Sequence, residues 1–334
     1  MAQRSTFPQH LVAHLFPNLI ILAEDSFFVR YRMHPKGAFA RRTFFTLMSQ
    51  STAVRGTLIP IGGAEYKGEE DEDYGLDFIE DGILSRVVRE CAVPDPRIVV
   101  IPTASSIPDT VGQNYVRAFQ KLGVSQVDVL DIRKKKQSRD PASLDLVRQA
   151  HCVMFSGGDQ SRITKLIGDS PLHALLMERF RQDEFVLAGT SAGAMSMSVE
   201  MIAGGSSTES MLKGAVILRK GMGYIPQMII DTHFIRRGRF GRLCEAVATF
   251  PELIGVGLSE DTGLVIKGCN EFEVIGSGMA IVFDPSHLTH NKHAVLKAGT
   301  PMSMSNLVTH ILARGDRFTM DNRVIRIKPI AVPV

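Results

Sequence analysis

One hydroxyl group in the 334-residue chain stands out as a candidate nucleophile. Ser191 lies in Ala188-Gly189-Thr190-Ser191-Ala192-Gly193-Ala194, a G-x-S-x-G pattern between an apolar run and a helix-compatible one. That is the strand–turn–helix setting of a nucleophile elbow. A side chain held on so tight a bend tolerates only small neighbours, and glycine stands two residues before it and two after. The helix that follows points its first N–H groups, and its positive end, at an oxyanion forming beside the serine. The hydroxyl needs a base. His233 is the best placed, because Ile229-Ile230-Asp231-Thr232-His233-Phe234 reads as a strand running out into an arginine-rich segment. The other histidines read as loop or helix-surface residues. His10 and His14 are four apart, but no carboxylate beside the first completes a metal pair, so no metal site is expected. A third group must orient the base. Glu260 and Asp261, after the apolar run Leu253–Gly257, and Asp231 beside the histidine all qualify, and spacing does not choose among them.

Two further patterns bear on substrate. Phe155-Ser156-Gly157-Gly158-Asp159-Gln160 lies between a strand and a helix. It lacks the lysine and hydroxyl residue of a phosphate-binding loop. It reads better as a second wall of the site, with the Gly158 turn and Ala192 N–H groups forming an oxyanion hole and Gln160 reaching substrate. Arg236, Arg237, Arg239 and Arg242 follow His233 closely. Positive charge at a helix start opposes the dipole, so the cluster points to carboxylate recognition by planar, bidentate donors.

Short apolar runs alternate with longer amphipathic ones after Arg55, which predicts βαβ units and a mostly parallel sheet. Strands are expected over Thr57–Ile61, Arg97–Ile101, Gln126–Ile132, Cys152–Phe155 and Phe185–Gly189. Helices are expected over Asp77–Cys91, Asp109–Leu122 with Asp109 as N-cap, Pro141–Ala150 and Leu172–Gln182. Four more strands follow Leu253. Residues 1–55 differ: six arginines and a lysine face only Glu24 and Asp25, so they read as an N-terminal extension to a domain spanning 56–334. The acidic run 69–73 and the basic run 133–136 read as solvated loops.

Composition removes several classes. Lysine and arginine total 38 against 35 acidic residues, so the net charge of +3 gives no electrostatic footprint for nucleic acid. No apolar stretch is long enough to span a bilayer. Four scattered cysteines without a C-x-x-C pair argue for a reducing, cytoplasmic setting, with Cys152 a buried small hydrophobe.

The ordered set of motifs resembles the cyanophycinases of the S51 family of serine peptidases. The matching stretches are Phe155–Gln160, Gly189–Ala194, Asp231-x-His233-Phe234 with Arg237, Arg239, Gly241, Arg242 and Leu243, and Gly257–Thr262. The likeness runs from about residue 56 to 325 and includes Asn306–Arg323, which looks like that family's closing hairpin. The resemblance implies a flavodoxin-like doubly wound sheet similar to class I glutamine amidotransferases, usually as a homodimer. It implies hydrolysis of cyanophycin, a poly-aspartate carrying arginine on each β-carboxylate, to β-Asp-Arg dipeptides through an acyl-enzyme, without a cofactor. An α-aspartyl dipeptidase of the same family, acting on short Asp-X peptides, is the nearest alternative. Carried over by motif, Ser191 is the nucleophile, His233 the base and Glu260 its orienting carboxylate. Gln160, Asp231, Arg237, Arg239 and Arg242 shape the substrate pocket, and Asp159 is the candidate for the substrate guanidinium. Thr232 stands where cyanophycinases commonly carry glutamine, which bears on substrate choice.

Overall fold

Alternation within short apolar runs sets the central architecture. The protein was analysed as a computed structural model, which describes residues 54–69, 75–205 and 210–329. All but the last two residues of the expected N-terminal extension, with His10 and His14, lie outside the described residues, as does most of the acidic run. Strands β1 (Thr57–Ile61), β2 (Ile98–Ile101), β3 (Val127–Val129), β4 (Cys152–Phe155) and β5 (Val186–Thr190) pair in parallel in the order β1-β5-β4-β2-β3. Successive side chains point to opposite faces. Ile59, Ile61, Val100, Met154 and Ala188 therefore enter one core, while Leu58, Val99, Ile101, Val153 and Leu187 enter another.

Helices α1 (Ile83–Glu90) and α2 (Pro108–Lys121) cover the first face through Leu84, Val87, Tyr115 and Phe119. Helices α3 (Pro141–Gln149), α4 (Gln160–Leu166) and α5 (Pro171–Gln182) cover the second through Val147, Ile163, Leu172 and Leu176. The spatial order β3-β2-β4-β5, with β1 filling the last place, is the flavodoxin-like pattern, and strand order reverses between β2 and β4.

Beyond β5 the chain leaves this layer. The short helix α6 (Ala192–Ser196) leads to a hairpin of β6 (Glu200–Gly205) and β7 (Val216–Lys220). Strand β8 (Met228–Asp231) then pairs in parallel with β9 (Ile254–Leu258), with α7 (Phe240–Thr249) as their crossover. Strand β10 (Thr262–Lys267) rejoins the first sheet antiparallel to β1, and β11 (Glu271–Gly276) pairs with it. Strands β12 (Ala280–Asp284) and β13 (Val308–Leu312) extend the β8–β9 sheet, and β14 (Arg317–Thr319) and β15 (Val324–Arg326) close the far edge of the first. The main sheet thus has nine strands, and its β10 side is antiparallel, where the sequence pattern had pointed to a mostly parallel sheet.

Three local differences have clear causes. The helix expected from Asp77 starts at Ile83, because the Asp77 carboxylate accepts the N–H groups of Ile79 and Glu80 (2.8 and 2.7 Å) in a turn that competes with helix. Asp109 is not the N-cap of α2; Pro108 takes the first helical position, so the cap falls on Ile107 and Asp109 sits within the first turn. In the basic run, Arg133 is not simply solvated: it pairs with Asp131 at 2.7 Å and donates to the Ser105 carbonyl at 2.8 Å. All four cysteines are free thiols, and Cys152 is buried. Among the described residues, no helix is long and apolar enough to cross a membrane.

Candidate active site

The end of β5 delivers Ser191 on a strained bend. Its φ of 50° and ψ of −109° lie outside the regions ordinarily open to a residue with a Cβ. The bend is held on both sides: the Ser191 N–H donates to the Ile61 carbonyl at 2.8 Å, and its own carbonyl accepts the Met195 N–H at 3.0 Å. The flanking glycines have the packing role their spacing suggests. A Cβ on Gly193 would lie 2.6 Å from the Phe155 carbonyl oxygen, and one on Gly189 would lie 2.8 Å from the Gly193 carbonyl carbon. Helix α6 is only five residues long, so its dipole is that of little more than one turn. Individual N–H groups, rather than a macrodipole, are what it can offer an anion.

His233 arrives from the other sheet, two residues past β8, with a positive φ of 48°. Its N–H donates to the Gly62 carbonyl at 2.8 Å. The ring lies so close over Gly63, whose φ is +105°, that a Cβ there would overlap it. Nε2 stands 3.1 Å from Ser191 Oγ, and Nδ1 stands 2.9 Å from Glu260 Oε1. Glu260 sits in the short link from β9 to β10, where the chain passes from one sheet to the other. Its second oxygen accepts from Arg236 Nη1 at 2.9 Å. With Nδ1 donating to a carboxylate, a neutral imidazole keeps Nε2 as an acceptor for the serine proton.

Of the three carboxylates that sequence could not separate, the one that meets the ring is Glu260. Asp261 turns inward and accepts from Tyr66 N–H (3.1 Å) and from the Ser277 hydroxyl (2.6 Å). Asp231 is fully buried and takes both Nε and Nη2 of Arg242 at 2.6 Å.

The electrostatics suit proton transfer. Burial, with the charges of Arg237 and Arg239, outweighs the Glu260 hydrogen bond and holds the His233 imidazole below its usual pKa. The ring is therefore neutral near pH 7. Burial works against the charge on Glu260, but hydrogen bonds from Arg236 and His233 prevail and hold its carboxyl below the usual range.

The Gly157-Gly158 turn lies against the serine. A Cβ on Gly157 would stand 3.3 Å from Ser191 Cβ, and Gly158, at φ +139°, leaves no room for one beside the Ala104 carbonyl. Among the described residues, the N–H groups of Gly158 and Ala192 donate to no acceptor. Asp159 caps α4 by accepting the Ser161 N–H at 2.8 Å, and Gln160 Nε2 donates to the Ile202 carbonyl at 2.7 Å. Both side chains therefore also serve the local fold.

The arginine cluster divides. Arg236 and Arg237 are exposed beside the histidine, and among the described residues the Arg237 guanidinium has no hydrogen-bond partner. Arg242 and Arg239 turn inward onto Asp231, Arg239 also donating to the Thr232 carbonyl at 2.7 Å. Burial lowers the Arg239 pKa to about 10, which leaves it cationic at neutral pH. Thr232 is fully buried, its hydroxyl on Met195 Sδ at 3.3 Å. Asp231, Thr232 and Arg242 were expected at the substrate. In this structure all three are buried, and Asp231 and Arg242 pair with each other, as a buried carboxylate has to be paired. Sequence reasoning gave no role to the turn after β1, although Gly62-Gly63 directly after an apolar strand was the available signal. It likewise passed over Arg236 as a partner for Glu260. Among the described residues, no cluster of three potential ligands is arranged to hold a metal ion.

A strained serine, a histidine and a glutamate thus meet in one hydrogen-bonded line where strands of the two sheets end, beside a flavodoxin-like layer. The profile of Peptidase family S51 matches residues 58–274, and the chain belongs to that family. Similar proteins include a cyanophycinase from Trichormus variabilis (35% identical, covering 88% of this chain and 97% of the relative). Others are cyanophycinases from Geminocystis herdmanii (37%, covering 79% and 94%) and from Synechococcus elongatus (31%, covering 85% of each). Among solved structures, a peptidase from an acI-B1 Actinobacterium shares the fold with a TM-score of 0.53 at 20% identity, over 77% of this chain and 97% of its own.

Proposed function

We propose that the protein is a serine-type peptidase that hydrolyses cyanophycin to β-Asp-Arg dipeptides. The observation that carries this reading is the hydrogen-bonded line from Ser191 Oγ through the His233 ring to Glu260, with 3.1 and 2.9 Å separations. Relatives named cyanophycinase supply the substrate class.

His233 Nε2 takes the serine proton as Oγ attacks a backbone carbonyl of the poly-aspartate chain. The resulting oxyanion is met by the N–H groups of Gly158 and Ala192, which have no other acceptor among the described residues. The His233 imidazolium, steadied by Glu260, then protonates the leaving amine. Water, deprotonated by the same ring, attacks the acyl-enzyme, and the proton returns to Oγ as the acid departs. Arg237, exposed beside the ring and without a hydrogen-bond partner among the described residues, is the donor for a substrate carboxylate. Arg239 reinforces that positive field, and Gln160 and Asp159 border the opposite wall.

Incubation with insoluble cyanophycin, followed by mass spectrometry of the soluble fraction, tests the reading. β-Asp-Arg dipeptides are expected, and their absence in Ser191→Ala. Turnover of free Asp-X dipeptides without attack on the polymer would move the substrate to the short-peptide alternative.

A further inference from the structure

Three consecutive carbonyls accept hydrogen bonds from three distant parts of the chain. Ile61 accepts from Ser191 N–H, Gly62 from His233 N–H and Gly63 from Asp261 N–H, at 2.8, 2.8 and 2.9 Å. None of the three donors is glycine, yet their φ values are 50°, 48° and 43°. One turn thus grips the backbone at Ser191, at His233 and at the residue after Glu260, in each case where the backbone is strained. Such conformations persist only where the surroundings over-determine them. The turn must therefore be rigid itself.

One end of the turn is anchored in β1. The other runs through Ala64, also at positive φ, to Glu65, which is only 1% exposed. Its carboxylate accepts from Thr190 Oγ1 at 2.5 Å and from the Tyr115 hydroxyl, and pairs with Lys67 Nζ at 2.9 Å. Burial opposes the charge, but Lys67 and the two hydroxyls outweigh it and keep the carboxyl below its usual pKa. A buried carboxylate is costly, and an apolar side chain would fill the space more cheaply. Among the described residues Glu65 makes no hydrogen bond to Ser191, His233 or Glu260, so the proposed chemistry does not use it directly. What it does hold is Thr190, the residue before Ser191, which lies opposite Ile61 in the β1–β5 register.

We propose that Glu65 is a positioning residue. By clamping Thr190 it locks the Ile61–Gly63 turn onto the strand that carries the serine, and the three carbonyls then keep Ser191, His233 and Glu260 in line. This rests on the reading of Ser191 as nucleophile.

The test compares Glu65→Gln, Thr190→Val, the double variant and Ser191→Ala in the full chain. It measures kcat and KM on cyanophycin, the rate of serine labelling by a fluorophosphonate, and Tm. Each single change at Glu65 or Thr190 should lower kcat about tenfold to hundredfold through misalignment, with KM near wild type and labelling slowed in parallel. The double variant should be no worse than the weaker single, because both changes release one clamp. Losses that multiply in the double variant, or a loss confined to KM, overturn the proposal. If Glu65→Gln does not fold, Thr190→Val, which keeps side-chain shape, carries the test, and wild-type kcat there overturns it. Activity surviving in Ser191→Ala would instead remove the underlying nucleophile assignment.

Discussion

Within the twelve positions from Asp231 to Arg242, the same residue type does two opposed things. Arg236 and Arg237 face outward beside the histidine, while Arg239 and Arg242 turn inward and converge on Asp231. Of the outward pair, Arg236 is paired with Glu260, and Arg237 leaves its charge available to solvent. The inward pair spends its charge on one carboxylate at 0% exposure. Residue type and clustering are the same in both, so the difference comes from the buried carboxylate of Asp231. Asp231 is the last residue of the buried strand β8 and has to be neutralised from the segment that follows it. A cluster that looks uniform in sequence is therefore half a support and half a candidate recognition surface.

Substitutions separate the halves. The largest effect is expected at the proposed nucleophile: Ser191→Ala should lower kcat by about 10⁴- to 10⁶-fold with Tm unchanged. Next, Glu260→Gln should cost roughly 10²- to 10⁴-fold in kcat, because it weakens the acceptor that orients and charges the imidazole. Wild-type rates there would deny that the glutamate supports the base. On the inward side, Asp231→Asn should destabilise the fold by about 3–5 kcal/mol, seen in urea melts, since it strands the buried Arg242 guanidinium, while Arg242→Met, which leaves Arg239 on the carboxylate, should cost less. If either variant instead melts like wild type and only KM rises, the inward pair belongs to recognition after all.

Arg237→Ala should leave Tm alone and raise KM roughly tenfold or more, the scale of one lost charged hydrogen bond. It also removes a positive charge that depresses His233. The acid limb of kcat/KM reports that ring, active when neutral, and in the wild type lies below the usual imidazole value. In Arg237→Ala it should move up in pH. The smallest effect is expected for Arg236→Ala: its pair with Glu260 is 76% exposed on the arginine side, and such pairs contribute under about 1 kcal/mol. A change of kcat beyond about fivefold would show that the pair shapes the triad.

The parallel half of the sheet is legible in sequence because β1, β2, β4 and β5 are buried on both faces and read as continuous apolar runs. Cys152–Phe155 was bounded without error for that reason. The β6–β7 hairpin is not legible in the sequence; eight of its eleven strand residues are exposed or partly so, which leaves no unbroken apolar run. Ser191 and its glycines were readable because the elbow is local, spelled by adjacent residues. The choice of Glu260 over Asp261 was not. Adjacent residues leave a turn in different directions, and only the three-dimensional path of the β9–β10 link decides which one reaches the ring. The Ile61–Gly63 turn was equally out of reach, since carbonyl acceptors carry no side-chain signature.

That turn has a consequence for biosynthesis. Glu65 and Thr190 are 125 residues apart, Ser191 and His233 a further 42, and His233 and Glu260 another 27. Contacts so far apart in the chain form late, after the ends of long loops have met. A nascent polypeptide that has passed Ser191 but not yet reached His233 contains the serine without the ring that would arm it. If the proposed triad is the hydrolytic group, its activity arrives only after Glu260 has been added, and a fragment that ends before His233 is expected to be harmless to the peptide bonds around it.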